Sequence, residues 1–540
     1  MRRGPIAAAG GAAVAGAVAL TVAVWPGGDG EGTADGPPPG GKSAPSVAPS
    51  PSKSYELSKA PATIPAVREH TAARGPGWRP AEGKGRVVVR DDGLEDEARL
   101  LAGELKLTYG GDAKPRSGDV ELALTDEKKP DEKKPEAKEG GGAESYTLTV
   151  KGQQVRIAAP AEAGVFYGTR TLKQEVSGGR TAPEGVVRDR PAKPQRGFML
   201  DIARKHFDAE WIEDRIRELG DLKYNQLGLH FSDDQAFRIE SDSHPEIVSS
   251  DHLTKDQVRR IVRLAKSRHI TVVPEIDSPG HLGTVIREHP SLQLRNARGA
   301  ATRGAVDISD PAAAKIVDEL LEEYAELFPG AYWHLGADEY QALTVKNPEA
   351  SYPRLAAAAR ERYGPGARVQ DLATGWLNDR ADTVRKFDKK LKAWNDGFFR
   401  GGTAEAAGDL EVAYWTGKEI GAREPDEYLA AGRKLTNYND EFLYYVLGQP
   451  NDFRYPTGQR IYEDWTPLVV RGTRPVSEKY DGQILGGTFA VWGDLAGAQS
   501  QEQVAQGIRM PLRATVQKLW DPGKPQLSWS DFVKLADTVG

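Results

Sequence analysis

The sequence predicts an α/β protein: a (β/α)8 barrel preceded by a small α+β domain. Three observations carry that prediction. Eight short apolar runs follow one another from residue 197 onward, helical segments separate most of them, and nearly every run ends in a carboxylate or an aromatic residue. Short strands alternating with helices build parallel sheets, and eight of them in series close into a barrel.

Taken in order, the chain opens with Arg2 and Arg3 and then an apolar, Ala- and Val-rich run from Ile6 to Val24. A charged start followed by such a run reads as a secretory signal over residues 1–26 and implies a secreted or extracellular protein. The run is long for a signal core, so an uncleaved membrane anchor is the alternative. Residues 27–60 turn to Gly, Pro, Ser and Ala and read as a linker without a core of its own.

Residues 61–188 form the expected small domain. RVVVR and VELAL read as strands, and LEDEARLLAGELK between them carries Leu94, Ala98, Leu101 and Leu105 at helical spacing. YTLTV and QVRIAA alternate as a hairpin, and AGVFYGTRTLKQEV follows as a helix. Between VELAL and YTLTV lies a solvated insert at 125–145, with DEKKP repeated in tandem. Nothing in this domain groups residues for catalysis.

The barrel is expected over 189–540. Its runs are GFMLDIA, LGLHFSD, ITVVPEID, YWHLGADE, LKAWND, EVAYWTG, KLTNYND and ILGGTFAVWGD. AEWIEDRIRELGDL, TKDQVRRIVRLAKSR and PAAAKIVDELLEEYAELF are the clearest helices between them.

Composition narrows the function. The chain has no cysteine, which excludes disulfides, thiolate metal sites and cysteine nucleophiles. The net charge is -6 and the lysines are scattered or interleaved with acids, so no nucleic-acid partner is implied. No protein partner is implied either.

The ends of the runs carry Asp201, Asp233, Asp277, Glu339, Asp396, Trp415, Asp440 and Asp494. In barrels of this kind chemistry sits at the C-terminal ends of the strands. Like charges crowded there repel unless hydrogen bonds or a ligand offset them, so this rim is expected to be a polar binding site. Its sharpest motif is His334-Leu335-Gly336-Ala337-Asp338-Glu339. Adjacent carboxylates cannot flank a reacting bond from opposite sides. The pair makes sense if one residue transfers a proton and the other holds the substrate; the alternative is two solvated loop acids.

RGFMLDIARKHF, LHFSDDQAFRIE, PEIDSPGH, HLGADEY, AWNDG, YWT and VWGD, in that order, resemble glycoside hydrolase family 20, the β-N-acetylhexosaminidases and lacto-N-biosidases. YTLTVKGQQVRIAAPAEAGVFYGTRTLKQE is similar to the family's small N-terminal domain. The resemblance implies a glycan substrate with terminal N-acetylhexosamine and substrate-assisted catalysis, in which the 2-acetamido oxygen attacks C1. It implies no cofactor and no metal. Glu339 matches the general acid/base, with a pKa expected to be raised by its neighbour, and Asp338 matches the residue that orients the acetamido N–H.

Other roles carry over as expectations. Arg196 would grip sugar hydroxyls, as would one of Asp233 and Asp234. His281 would lie beside the acid/base with Asp277 as its orienting partner. Trp394, Trp415 and Trp492 would wall the sugar, and Tyr438 and Asp440 would touch the acetamido group. This chain has Ala337 where family members often carry Gly, and Asp494 where many carry Glu. The shorter acid keeps lacto-N-biosidase-like release of a disaccharide open as an alternative. Two further rivals are a non-catalytic sugar-binding homologue and a metal-dependent barrel with Asp233, Asp277 and Glu339 as ligands.

Overall fold

The computed structural model describes residues 54–125, 142–418 and 422–540. The expected leader, nearly all of the linker and most of the charged insert lie outside the described residues. Among the described residues no helix is long and apolar enough to cross a membrane.

The small domain is a seven-stranded sheet. Its strands lie in the order Glu69–Ala72, Gly185–Asp189, Tyr146–Lys151, Gln154–Ala159, Val120–Leu124, Arg86–Val89 and Thr108–Tyr109. The expected hairpin pairs antiparallel from Thr147 opposite Ala158 to Lys151 opposite Gln154. Tyr146, Leu148 and Val150 point inward at alternate positions, as the period of a strand requires. The helices Glu95–Glu104 and Glu162–Val176 pack on the sheet and bury Leu101, Phe166 and Leu172.

The barrel strands are β1 (Gln195–Asp201), β2 (Gln226–His230), β3 (Thr271–Glu275), β4 (Tyr332–His334), β5 (Lys390–Trp394), β6 (Glu411–Tyr414), β7 (Leu435–Asn437) and β8 (Ile484–Trp492). All pair in parallel, and β8 closes the ring against both β7 and β1. The fold is the one the sequence predicts. Helix Lys255–Lys266 illustrates why the outer elements form. Thr254 and Gln257 close a reciprocal cap at its start, and Val258, Ile261 and Ala265 line its buried face.

The strands stop short of the apolar runs. Most of the carboxylates at the ends of those runs therefore lie in the loops that follow, where they can turn across the mouth. A short strand, Tyr444–Val446, pairs with Ala490–Trp492 at the top of β8 and was not expected from the sequence. At the opposite end, the small domain seals the barrel. Trp520, closing helix Gln501–Trp520, meets Tyr167 edge-on at 5.7 Å and donates its N–H to Asp189 at 2.9 Å.

Candidate active site

The C-terminal mouth holds a cavity of about 570 Å3. Arg204, His281, Asp338, Glu339, Trp415 and Tyr444 line it together with Asp440, Trp492 and Asp494. Its outer part is lined by Lys418, Glu441, Asn451, Phe453, Arg454 and Arg460.

The loop after β4 is wound through positive φ at Gly336 (66°), Ala337 (80°) and Glu339 (48°). Such conformations cost free energy in non-glycine residues and persist where the surroundings enforce them. A Cβ on Gly336 would stand 1.8 Å from Asp277 Oδ1, so only glycine lets Asp277 lie under the turn. Asp277 accepts the Ala337 amide at 2.8 Å, and Asp396 accepts the Glu339 amide at 2.9 Å. These two bonds turn Asp338 and Glu339 into different surroundings.

Asp338 points inward, its side chain 15% exposed, and meets Asp277 and His281. Its Oδ1 is buried, and its carboxyl group is hydrogen-bonded to that of Asp277. Burial, and then the charge of Asp277, raise Asp338 well above the ordinary carboxylate range. Burial likewise pushes Asp277 up to about 7. A proton shared between the two carboxylates accounts for the bond between them.

Glu339 is the more open of the pair, at 37% side-chain exposure, and lies 3.5 Å from His281 Nε2. The hydrogen bond from His281 holds it below its usual value in spite of burial. This corrects the expectation that the neighbouring acid raises Glu339: the histidine outweighs it. Burial alone would lower His281, but the charges of Asp233, Asp277 and Asp338 lift it well above the usual imidazole range.

The orienting partner of His281 is also revised. Nδ1 lies 3.3 Å from Asp233, whereas Asp277 stands 3.9 Å from Nε2 and is committed to the Ala337 amide. Asp233 is buried and further held by His230 at 2.8 Å and Arg204 at 2.7 Å. Asp234 turns away, accepting the Gly283 amide at 3.0 Å, and does not line the cavity.

Arg196 is not at the sugar end. It opens β1 at the sealed end of the barrel, fully buried, and forks onto Glu144 with two bonds of 2.8 Å. The arginine held against buried carboxylates in the cavity is Arg204, three residues past Asp201, which accepts it at 3.1 Å. The position after a strand's C-terminal end was the available signal for it.

Among the aromatics, Trp415 and Trp492 line the cavity. Trp415 donates to Asp396 at 3.0 Å and lies parallel to Tyr444, centroids 5.8 Å apart. Trp394 is buried beneath them, its N–H on Glu275 at 2.7 Å. Tyr438 is packed edge-on against Trp394 and does not line the cavity; Tyr444 does, because the unexpected strand carries it over the mouth. Asp440 accepts Lys418 at 2.7 Å, and Asp494 sits at the rim, raised by burial and restrained by Arg204.

The mouth thus combines a solvent-reaching carboxylate paired with an imidazolium, a second carboxylate turned inward, and aromatic walls. That set can transfer a proton, hold an N–H donor and stack against an apolar ring face.

Known proteins share this organisation. The family model "Glycosyl hydrolase family 20, catalytic domain" matches residues 194–511, and "Glycosyl hydrolase family 20, domain 2" matches residues 60–190. A lacto-N-biosidase of Bifidobacterium bifidum is 29% identical over 486 residues, covering 89% of this chain and 42% of the relative. A β-hexosaminidase of Porphyromonas gingivalis is 27% identical, covering 63% of this chain and 45% of the relative. The chain therefore spans less than half the length of these two relatives. A mutant Streptomyces plicatus β-hexosaminidase, solved in complex with product (GlcNAc), superposes with a TM-score of 0.69 at 23% identity, covering 89% of this chain and 95% of the other. With a catalytic-domain match that takes in more than half of its residues, the chain belongs to glycosyl hydrolase family 20.

Proposed function

We propose that the protein is a retaining exo-glycosidase that removes terminal β-linked N-acetylhexosamine from glycans by substrate-assisted catalysis. The observation that carries the reading is the inward-turned Asp338 beside the more exposed, histidine-paired Glu339 on the wall of one aromatic-lined cavity. A carboxylate in such a wall accepts an acetamido N–H, and a carboxyl beside an imidazolium can deliver a proton to the leaving oxygen.

In the first step the acetamido carbonyl oxygen forms a bond to C1 while the C1–O bond to the leaving sugar breaks. Glu339 delivers the proton to that oxygen. It receives the proton from the His281 imidazolium, since excluding water favours the neutral pair over the charged one. Asp338 accepts the acetamido N–H and stabilises the oxazolinium positive charge. Tyr444, on the same wall, is placed to donate to the acetamido oxygen. In the second step Glu339 takes a proton from water, which attacks C1 and restores the acetamide, so configuration is retained. Arg204 and Asp494 hold sugar hydroxyls. The N-terminal apolar segment supports export as the proposed location.

A second reading is release of a disaccharide. It is favoured by the short Asp494 acid and by the cavity's continuation toward Asn451, Phe453 and Arg460. The deciding experiment is product analysis on GlcNAc- and Galβ1,3GlcNAc-terminated substrates. Retention together with competitive inhibition by a thiazoline analogue supports the mechanism. An inverted product, or a sugar trapped covalently on a carboxylate, overturns it.

A further inference from the structure

A second histidine–carboxylate cluster lies outside the cavity, and none of its members lines it. We propose that His244, Glu246 and His289 bind a zinc ion, with Glu319 as the carboxylate that orients His244. This site is independent of the glycosidase reading.

The geometry is close to what zinc needs. Glu246 Oε1 lies 3.1 Å from His244 Nδ1 and 2.8 Å from His289 Nε2, and the three ligand atoms fall within 4.8 Å of one another. Tetrahedral zinc holds nitrogen and oxygen ligands at about 2.0–2.2 Å, which puts neighbouring ligand atoms roughly 3.3 Å apart. The side chains need only open slightly to admit the ion.

Proton accounting at His244 points the same way. Its Nδ1 faces Glu246 and its Nε2 faces Glu319, each at 3.1 Å. A neutral imidazole has one N–H and one lone pair, so it satisfies only one of two flanking carboxylates. Zinc on Nδ1 resolves this: the lone pair binds metal, Glu246 becomes a ligand, and Nε2–H donates to Glu319. A carboxylate behind a metal-bound histidine is the usual supporting arrangement.

The donor set favours zinc over the hard cations. Two imidazoles and a carboxylate suit zinc, whereas magnesium and calcium take oxygen ligands. His244 is buried, while Glu246 and His289 reach solvent, which leaves the fourth position to water. The ion would join three elements: the turn Pro245–Ile247, the end of helix Gly283–Glu288, and helix Pro311–Leu327 through Glu319. The middle element starts two residues after His281, so the metal would brace the segment that carries the active-site histidine.

The test is calorimetric titration of the metal-free, untagged full chain with zinc chloride, with magnesium chloride as control. One zinc per chain is expected, with a rise in Tm on binding and no response to magnesium. Cobalt(II) in its place should give the intense visible bands of a four-coordinate ion. His289→Ala, a half-exposed position where folding is checked by Tm, should abolish the binding, and Glu319→Ala should weaken it about 10–100-fold. Asp338→Asn should leave it intact, since that change disables the other three-ligand group, Asp277, His281 and Asp338. Absence of zinc binding, binding that survives His289→Ala, or binding lost in Asp338→Asn overturns the proposal.

Discussion

The barrel has an arginine network at each end, and the two are built for opposite purposes. At the sealed end Arg196 directs every donor nitrogen to the protein: Glu144, the Lys193 and Lys223 carbonyls and the Tyr167 hydroxyl. At the open end Arg204 is held by Asp201 and Asp233 yet still lines the cavity. Around it lie the carboxyl groups of Asp338, Glu339 and Asp494, which line the cavity as well. A closed network fixes the docking of two domains. An open one, strained at Ala337 and Glu339, leaves bonding capacity for a ligand. Arg196 is fully buried and Arg204 keeps 15% of its side chain exposed; what their neighbours leave open separates a structural role from a binding one.

The largest effect should come from the open end. Glu339→Gln should keep the fold and lower kcat about 10²–10⁴-fold on substrates with poor leaving groups. Acidic phenol leaving groups, which need no protonation, should lose much less in the glycosylation step, measured by pre-steady-state burst. Equal losses on both would show that Glu339 is not the acid.

The arginines give the direct contrast. Arg196→Ala leaves Glu144 unpaired beneath the barrel and should cost about 3–5 kcal/mol of stability in denaturant unfolding, with kcat/KM of the folded fraction unchanged. Arg204→Ala should do the reverse at the sugar: removal of a charged hydrogen bond worth about 1.5–3 kcal/mol lowers kcat/KM roughly 10- to 100-fold. A kinetic defect in Arg196→Ala would erase the distinction between the two ends.

Asp277 sharpens the comparison through pH. Its folded pKa of about 7 stands above its unfolded value, so the folded state holds more protons between them. That contribution is complete below about 4 and disappears as pH rises through about 7. The Tm of the parent should therefore fall across that window. In Asp277→Asn, which cannot titrate, the fall should be shallower, though Asp396 and Asp338, carboxyl groups raised in the same sense, retain part of it. Identical slopes would mean that Asp277 is ionised throughout.

The smallest effect is at the rim. Asp494→Glu lengthens the acid by one methylene and should shift the ratio of kcat/KM toward GlcNAc over Galβ1,3GlcNAc glycosides by about tenfold or less. An unchanged ratio would remove Asp494 from the control of substrate length.

Much of this was legible along the chain because its information is local. The alternation of short apolar runs with helices is written in the periodicity of side chains, and all eight barrel strands lie within or overlap the runs that foretell them. The adjacency of Asp338 and Glu339 is likewise a property of sequence. What three-dimensional packing decided is which side chain meets which across strands. Arg196 near the start of β1 and Arg204 just past its end are both polar positions, but opposite ends of the barrel have different surroundings, and only the placement of the small domain tells which end is closed. Tyr438 and Tyr444 are six residues apart, and the choice between them rests on the pairing of Tyr444–Val446 with β8. The protonation of Glu339 was misjudged from sequence because its dominant partner, His281, is distant along the chain. Pairings between distant segments follow from strand order, register and loop path, and no periodicity along the chain encodes them.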